Sequence, residues 1–313
     1  MRGIMKNTLL ILMIGSAAVI AACGGGPPLK TTPPYLLAGT EQIIKGTDAY
    51  KKGCYKKAFE LFFRAHEFYA ASDQTDGVAM SLNNLGTVYR ATGDPQSALA
   101  FFDKACEIYR DLGNRTGEIQ TLSNKAAALI DLGRLDQAGA ILDEASKNSE
   151  GVFLVSLLNN RGVLLTKKKD YAGAEKVLKE ALAAVGPENV SDRATVHSAL
   201  GNLMLEMNRY KEAVTFYQNA LNDDRTEGFY KGTADDLNGI GRASLALGNR
   251  TAAVKHWEQS VKIYALIGSN ADAKKVMGDL KTAAEGTGVD IRVTELFLNR
   301  WLEGKLYEKP CED

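Results

Sequence analysis

Residues 84–105 read NLGTVYRATGDPQSALAFFDKA, and residues 160–181 read NRGVLLTKKKDYAGAEKVLKEA. Both stretches follow one frame. A glycine in third place is followed twelve positions later by an alanine and sixteen positions later by a large apolar residue. A second alanine stands three positions after that. Spacings of three and four residues place side chains on one face of an α-helix, so the frame predicts helices.

The same frame occurs six times, with successive copies 40, 40, 36, 39 and 40 residues apart. A small residue opens each copy, and it lets two antiparallel helices approach closely. These opening residues are Gly46, Gly86, Ala126, Gly162, Gly201 and Gly241.

The first helix of each copy is predicted to end seven positions after the opening residue. Glycine or asparagine suits that place, because the chain must enter the left-handed region there. Lysine does not, so we expect mild backbone strain in the fourth copy. The six residues are Gly53, Gly93, Gly133, Lys169, Asn208 and Gly248.

This order of small residue, glycine, alanine, aromatic and alanine resembles the tetratricopeptide repeat, although the period here is near 40 instead of 34. The resemblance implies an all-α fold, a right-handed α-solenoid of about six helical hairpins over residues 39–270. We expect a capping helix at 271–285, because a solenoid must cover its last apolar face. The segment 286–313 holds a possible extra helix, which either packs back on the array or offers a docking surface to a partner.

The N-terminus has the features of a targeting signal. Arg2 and Lys6 precede an uncharged stretch, residues 8–22, which has the length of a signal-peptide core. The sequence IAAC at 20–23 resembles a bacterial lipobox, which implies cleavage before Cys23 and lipidation of its thiol. We therefore predict a signal peptide at 1–22 and a flexible Gly/Pro tether at 23–38. An ordinary signal peptide or an N-terminal membrane helix is the alternative.

The resemblance also implies a location. Gly24, after the lipidated cysteine, resembles an outer-membrane sorting signal, so we expect an envelope protein anchored by lipid and facing the periplasm. Nucleic acid is not an expected partner, because 38 basic residues balance 38 acidic residues and no basic excess is available. No catalytic, cofactor-binding or metal-ligating pattern stands out, so we expect no enzymatic activity and no cofactor.

A set of asparagines marks the candidate partner-binding groove. In tetratricopeptide proteins the first helix of each hairpin lines a concave surface, and asparagines there hydrogen-bond extended peptides. A structural role, bridging neighbouring helices, is the equal alternative. The candidates are Asn83, Asn84, Asn124, Asn159, Asn160, Asn202 and Asn238.

The leading hypothesis is a lipid-anchored scaffold that binds a protein or peptide partner in this groove during assembly of an envelope complex. A module that senses peptides or peptidoglycan fragments, or a subunit that positions an envelope hydrolase, are the alternatives. Cys54, Cys106 and Cys311 remain besides Cys23. We do not expect a Cys54–Cys311 bridge, because the tail would have to fold back along the whole array.

Overall fold

The computed structural model describes residues 34–147, 154–305 and 311. Within these residues the chain is helical throughout and contains no β-strand, so the predicted all-α solenoid of helical hairpins is confirmed. The helices are α1 Pro34–Lys51, α2 Tyr55–Ala71, α3 Thr75–Ala91, α4 Pro95–Asp111, α5 Arg115–Asp131, α6 Leu135–Ser146, α7 Leu154–Lys167, α8 Tyr171–Ala184, α9 Val190–Glu206, α10 Tyr210–Glu227, α11 Tyr230–Ala246, α12 Arg250–Leu266, α13 Asn270–Ala284 and α14 Arg292–Leu302.

The predicted signal peptide and the lipidation site Cys23 lie outside the described residues. Helix α1 begins at Pro34, so residues 34–38, predicted as part of the flexible tether, are helical. Proline is favoured at the first helical position, because the missing N–H would have no partner there. None of the helices in the described ranges has the length and apolar character of a membrane span.

Each hairpin is held together by a large side chain that lies on the opening residue of the same hairpin. A Cβ atom at Gly162 would clash with the side chain of Leu178, and one at Gly241 would stand 2.6 Å from Trp257. Real Cβ atoms do not come so close, so the expected reason for a small residue at this position is confirmed.

The ends of the first helices have the predicted backbone. Gly53, Gly93, Gly133 and Gly248 all have positive φ, as do Lys169 at 63° and Asn208 at 58°. A lysine with this φ loses about 1–2 kcal/mol to the contact between Cβ and the following carbonyl. Lys169 is therefore strained, as the sequence predicts.

The array bends far enough that its first turn meets its far end. The turn between α1 and α2 brings Gly53 within 2.8 Å of Ile267, measured from an ideal Cβ. The Lys51 ammonium lies 2.8 Å from the carboxylate of Glu227. The first hairpin thus contacts the end of α10 and the end of α12, and the inner surface is enclosed.

This closure makes one of the cysteine predictions wrong. Cys54 and Cys311 form a disulfide, with their Cα atoms 5.2 Å apart. We expected the tail to be too far away, but the bend of the array brings the start of α2 to the end of the chain. Cys106 is a buried free thiol, as expected for a small apolar residue, and burial raises its pKa to about 12.

The C-terminal helices cover the last hairpin. Helix α13 packs against α12 and buries Val276 and Leu280 there. Helix α14 also packs against α12, through Leu298, and the Thr294 hydroxyl donates to Glu258 at 2.8 Å. Helix α14 therefore lies on the array, and its outer face leaves Leu296 68% exposed.

Candidate functional site

The enclosed inner surface of the array contains a cavity of about 530 Å³, here called the central cavity. Its walls come mainly from the first helices of successive hairpins, α5, α7, α9 and α11. The first hairpin closes one side with Tyr50, whose ring stacks on Phe229 with the ring centres 6.4 Å apart. A volume of this size is typical of a site for a small ligand or a short peptide.

Three of the predicted asparagines take part in hydrogen bonds between neighbouring hairpins. The Asn124 amide donates to Asn83 Oδ1 at 3.0 Å. The Asn160 amide donates to the Ser123 carbonyl at 3.0 Å and to the Ser123 hydroxyl at 2.9 Å. These bonds are the bridges between helices that the structural alternative describes, although Asn124 and Asn160 also line the central cavity.

Two others bond to aromatic side chains from the second helices. Asn202 Oδ1 accepts from the Tyr217 hydroxyl, and Asn238 Oδ1 accepts from the Trp257 indole N–H, both at 2.9 Å. Asn202 lines the central cavity, whereas Asn238 lines a smaller neighbouring pocket. Asn84 is half-buried and is not among the residues that line the central cavity.

Asn159 differs from the other asparagines. Its side chain is only 7% exposed, it lines the central cavity, and its Oδ1 has no hydrogen-bond partner among the described residues. This oxygen is buried within the wall, and buried polar atoms normally have a partner, so the unpaired acceptor is unusual.

One wall of the central cavity is acidic. Asp192, Asp224 and Asp235, from α9, α10 and α11, all line it, and they are called the acidic wall here. Burial and the neighbouring carboxylates raise the pKa of Asp224 to about 7, and burial also raises the pKa of Asp192. Asp235 is exposed, and the Lys231 ammonium lies 2.6 Å from its carboxylate.

The acidic wall has a second layer behind it. Asp236 is fully buried, and one of its oxygens accepts from the Ser198 hydroxyl while the other has no partner in the part of the chain that the structure describes. Burial raises the pKa of Asp236 to about 8. A buried carboxyl in this setting keeps its proton near neutral pH, because no cation replaces the lost hydration.

A basic pocket of about 420 Å³ adjoins the central cavity, and the two share Ala199 and Asn202. Lys167, Lys169 and Arg242 line this pocket. The inner surface thus has a basic end and an acidic end.

The acidic wall was missed at the sequence level. Asp224 lies in the stretch LNDDRTEG, which reads as a polar joint, but it is buried in the last turn of α10. One signal was available in the sequence. Asp235 and Asp236 stand shortly before the opening residue Gly241, within the first helix of the sixth copy, which is a helix that lines the inner surface. Across the described ranges, no group of three or more His, Cys, Asp or Glu side chains is arranged to hold a metal ion.

Solved structures with the same fold include two complexes, one of them with a peptide. The Rap conjugation gene regulator of plasmid pLS20, in complex with the Phr* peptide, aligns with a TM-score of 0.63 at 19% identity over 87% of this chain and 74% of that chain. A Rap protein complexed with competence and sporulation factor aligns with a TM-score of 0.58 at 15% identity, over 86% and 78% of the two chains. Identities this low establish the fold alone.

A third neighbour is a thermophilic tetratricopeptide-repeat protein of Thermus thermophilus. It aligns with a TM-score of 0.50 at 24% identity, over 67% of this chain and 99% of that one. A search of curated proteins found no match to the sequence.

Models of the tetratricopeptide repeat match the sequence directly. One matches residues 42–111 and 153–226, and a second matches residues 119–144. Together these matches cover more than half of the chain, and they fall on the helical hairpins described above. The fold is one that typically serves as a non-catalytic scaffold for protein interactions. The chain belongs to the tetratricopeptide-repeat family.

Proposed function

We propose that this chain is a lipid-anchored scaffold of the bacterial cell envelope that binds an extended peptide segment of a partner inside the central cavity. The observation that carries the binding part is the central cavity itself, about 530 Å³ in volume and lined by polar side chains of the first helices, among them Asn124, Asn160 and Thr195. A concave space of this size with a few polar groups is the usual form of a ligand site.

The closure of the array supports a peptide over a folded partner. Tyr50 and Phe229 close one side of the cavity, and a volume of about 530 Å³ admits a short extended segment but not a domain. One protein with the same fold was solved with a peptide, which supports the same class of ligand.

The anchor is supported by the N-terminal sequence. Its charged start, uncharged core and IAAC at 20–23 have the order of a lipoprotein signal. Stable anchoring needs more than one acyl chain, which a lipidated N-terminal cysteine would carry. Gly24 favours a location at the outer membrane, with the folded part facing the periplasm.

A peptide-sensing module is the second candidate, and the closure of the array favours it. The first hairpin and the far end of the array both contribute to the cavity, through Tyr50 and Asp235. A ligand that contacts both would stabilise the closed form. The two functions share the same site and differ in whether the peptide is free or part of a protein.

Blocking the cavity tests the binding site. Thr195 is exposed, lines the central cavity and bonds only to the Ser191 carbonyl one turn earlier, so Thr195→Trp fills space without disturbing the core. The full-length protein is incubated with a random heptapeptide library, and the retained peptides are sequenced. We expect Thr195→Trp to lower retention at least 10-fold.

Thr215→Trp is the matched control. Thr215 is also exposed and bonds to the Lys211 carbonyl one turn earlier, but it lies on α10 and does not line the cavity. This variant should retain peptides as the unchanged protein does. If no peptide is retained by any of the three proteins, or if Thr195→Trp retains as much as Thr215→Trp, the central cavity is not the binding site.

Replacing the lipidation site tests the anchor. In cells fed an alkyne analogue of palmitate, the unchanged protein should carry the label and sediment with membranes, and Cys23→Ala should lose both properties. Cys106→Ser, which changes a buried thiol, should keep both. A Cys23→Ala protein that stays in the membrane fraction without label would instead indicate an N-terminal membrane helix.

A further inference from the structure

We infer that the central cavity selects peptides by a cationic group, a lysine or arginine side chain or a free N-terminal amine, and that the acidic wall holds this group. The inference rests on the function proposed above and names the chemistry of its ligand. It depends on two features of the cavity: the unpaired carboxyls of its lining and the space made for one of them.

The lining carries an excess of negative charge. Arg90 is the one basic residue among the described residues that line the central cavity, and its guanidinium lies 2.7 Å from the carboxylate of Asp131. Because Arg90 and Asp131 neutralise each other, the charged groups that remain in the lining are the three carboxyls of the acidic wall. Lys231 partly balances Asp235, whereas the side chains of Asp192 and Asp224 have no ion-pair or hydrogen-bond partner within the described ranges.

Asp224 is the centre of the site. Its side chain is only 5% exposed, yet it lines the cavity without a partner from the described part of the chain. A buried carboxyl group in this position either keeps a proton or pairs with a cation. The ammonium or guanidinium of a ligand would allow it to ionise.

The neighbouring backbone makes room for that carboxyl. An ideal Cβ at Gly232 would clash with Asp224 Oδ2, so a larger residue at this position would displace the carboxyl. Gly232 itself lines the cavity. The close approach keeps the Asp224 carboxyl at the wall, since Gly232 has no side chain that could cover it on this side.

The carboxylates of Asp192 and Asp224 need donors, and a lysine ammonium offers three N–H groups while an arginine guanidinium offers five. An acidic or purely apolar side chain would leave both carboxylates unpaired. The opposite end of the inner surface, with Lys167, Lys169 and Arg242, would disfavour a cation.

The experiment extends the library selection to charge. The heptapeptides retained by the full-length protein should be enriched in lysine and arginine over the input library. In the best-retained peptide, replacing its basic residue by norleucine, which keeps the chain length and removes the charge, should weaken binding about 10- to 100-fold, the expected effect of losing a charge-assisted hydrogen bond.

A protein variant supplies the reciprocal test. Asp224→Asn should weaken binding of the basic peptide about 10-fold or more and should leave the norleucine peptide unaffected. Asp136→Asn is the control, because Asp136 is fully exposed on the outer helix α6 and should change neither affinity. Helicity of each variant is checked by circular dichroism.

The outcomes separate this inference from the function on which it rests. Retention of peptides without basic enrichment, or equal affinity for the basic and norleucine peptides, would overturn the cationic selection and leave a peptide site in place. Retention of no peptide at all would overturn both. Loss of binding to both peptides in Asp224→Asn with native helicity would make Asp224 a general wall residue and would also contradict the inference.

Discussion

Reducing the Cys54–Cys311 disulfide is expected to lower the free energy of unfolding by about 3–5 kcal/mol. The bond closes a loop with a sequence separation of 257 residues, and cross-links that close long loops restrict the unfolded chain most. It also joins the start of α2 to the end of the chain, so it holds the two ends of the array together. We expect a clear fall in the melting temperature on addition of dithiothreitol, measured by circular dichroism at 222 nm.

The control is a protein that lacks the bond. Cys54→Ser combined with Cys311→Ser should melt at the temperature of the reduced protein and should not respond to dithiothreitol. Alkylation of the unfolded, non-reduced mature protein should modify Cys106 but neither Cys54 nor Cys311. Modification of all three thiols without reductant would show that the bond does not form.

Neutralising Asp236 is expected to stabilise the protein by about 5 kcal/mol at pH 8 and by close to zero at pH 4. Asp236 is fully buried, and its folded-state pKa of about 8 lies well above the value near 4 of an unfolded aspartate. Asp236→Asn keeps the acceptor for the Ser198 hydroxyl and removes the charge.

The sign follows from proton binding. Between pH 4 and pH 8 the folded protein holds a proton on Asp236 that the unfolded chain has released. Folding therefore binds a proton in this range, and this group makes the protein less stable as the pH rises. Below pH 4 both states are protonated and the group has no effect. Urea unfolding of the unchanged protein and of Asp236→Asn, at pH 4 and pH 8, measures the difference.

Asp136→Asn provides the contrast for this test as well. Asp136 is exposed, and its hydrogen bond from Lys168 lowers its pKa, so its removal should not stabilise the protein at pH 8. If Asp236→Asn gives the same stability increment at both pH values, Asp236 is not protonated in the folded state near neutral pH.

The local fold was largely predictable from the sequence, because each hairpin depends on contacts within one copy of the frame. Gly162 and Leu178 are sixteen residues apart and touch in the structure, and Lys169 adopts the strained backbone that its position requires. Such contacts follow from helical geometry over a short stretch of chain.

The closure was not predictable in the same way. Contact between Gly53 and Ile267 depends on the rotation from each hairpin to the next, added over six hairpins. Small differences in each rotation accumulate along a solenoid, and no local pattern records their sum. The prediction that Cys54 and Cys311 are not bridged was wrong because it assumed an extended array.

The candidate site was predictable in part. The frame placed asparagines on the inner face, and Asn124, Asn159, Asn160 and Asn202 do line the central cavity. The acidic wall was not predictable, because Asp192, Asp224 and Asp235 come from three helices and meet only when those helices pack. Burial, which raises the pKa of Asp192 and Asp224, exists only in the folded array.

The contact between the first turn and the end of α12 also fixes the number of repeats. An open solenoid tolerates duplication or loss of a unit, since each unit contacts only its neighbours. Here an inserted hairpin would rotate Ile267 away from Gly53 and carry Cys311 away from Cys54. During evolution such a protein can change its loops and surfaces, but it cannot gain or lose whole repeats without breaking the contact between its two ends.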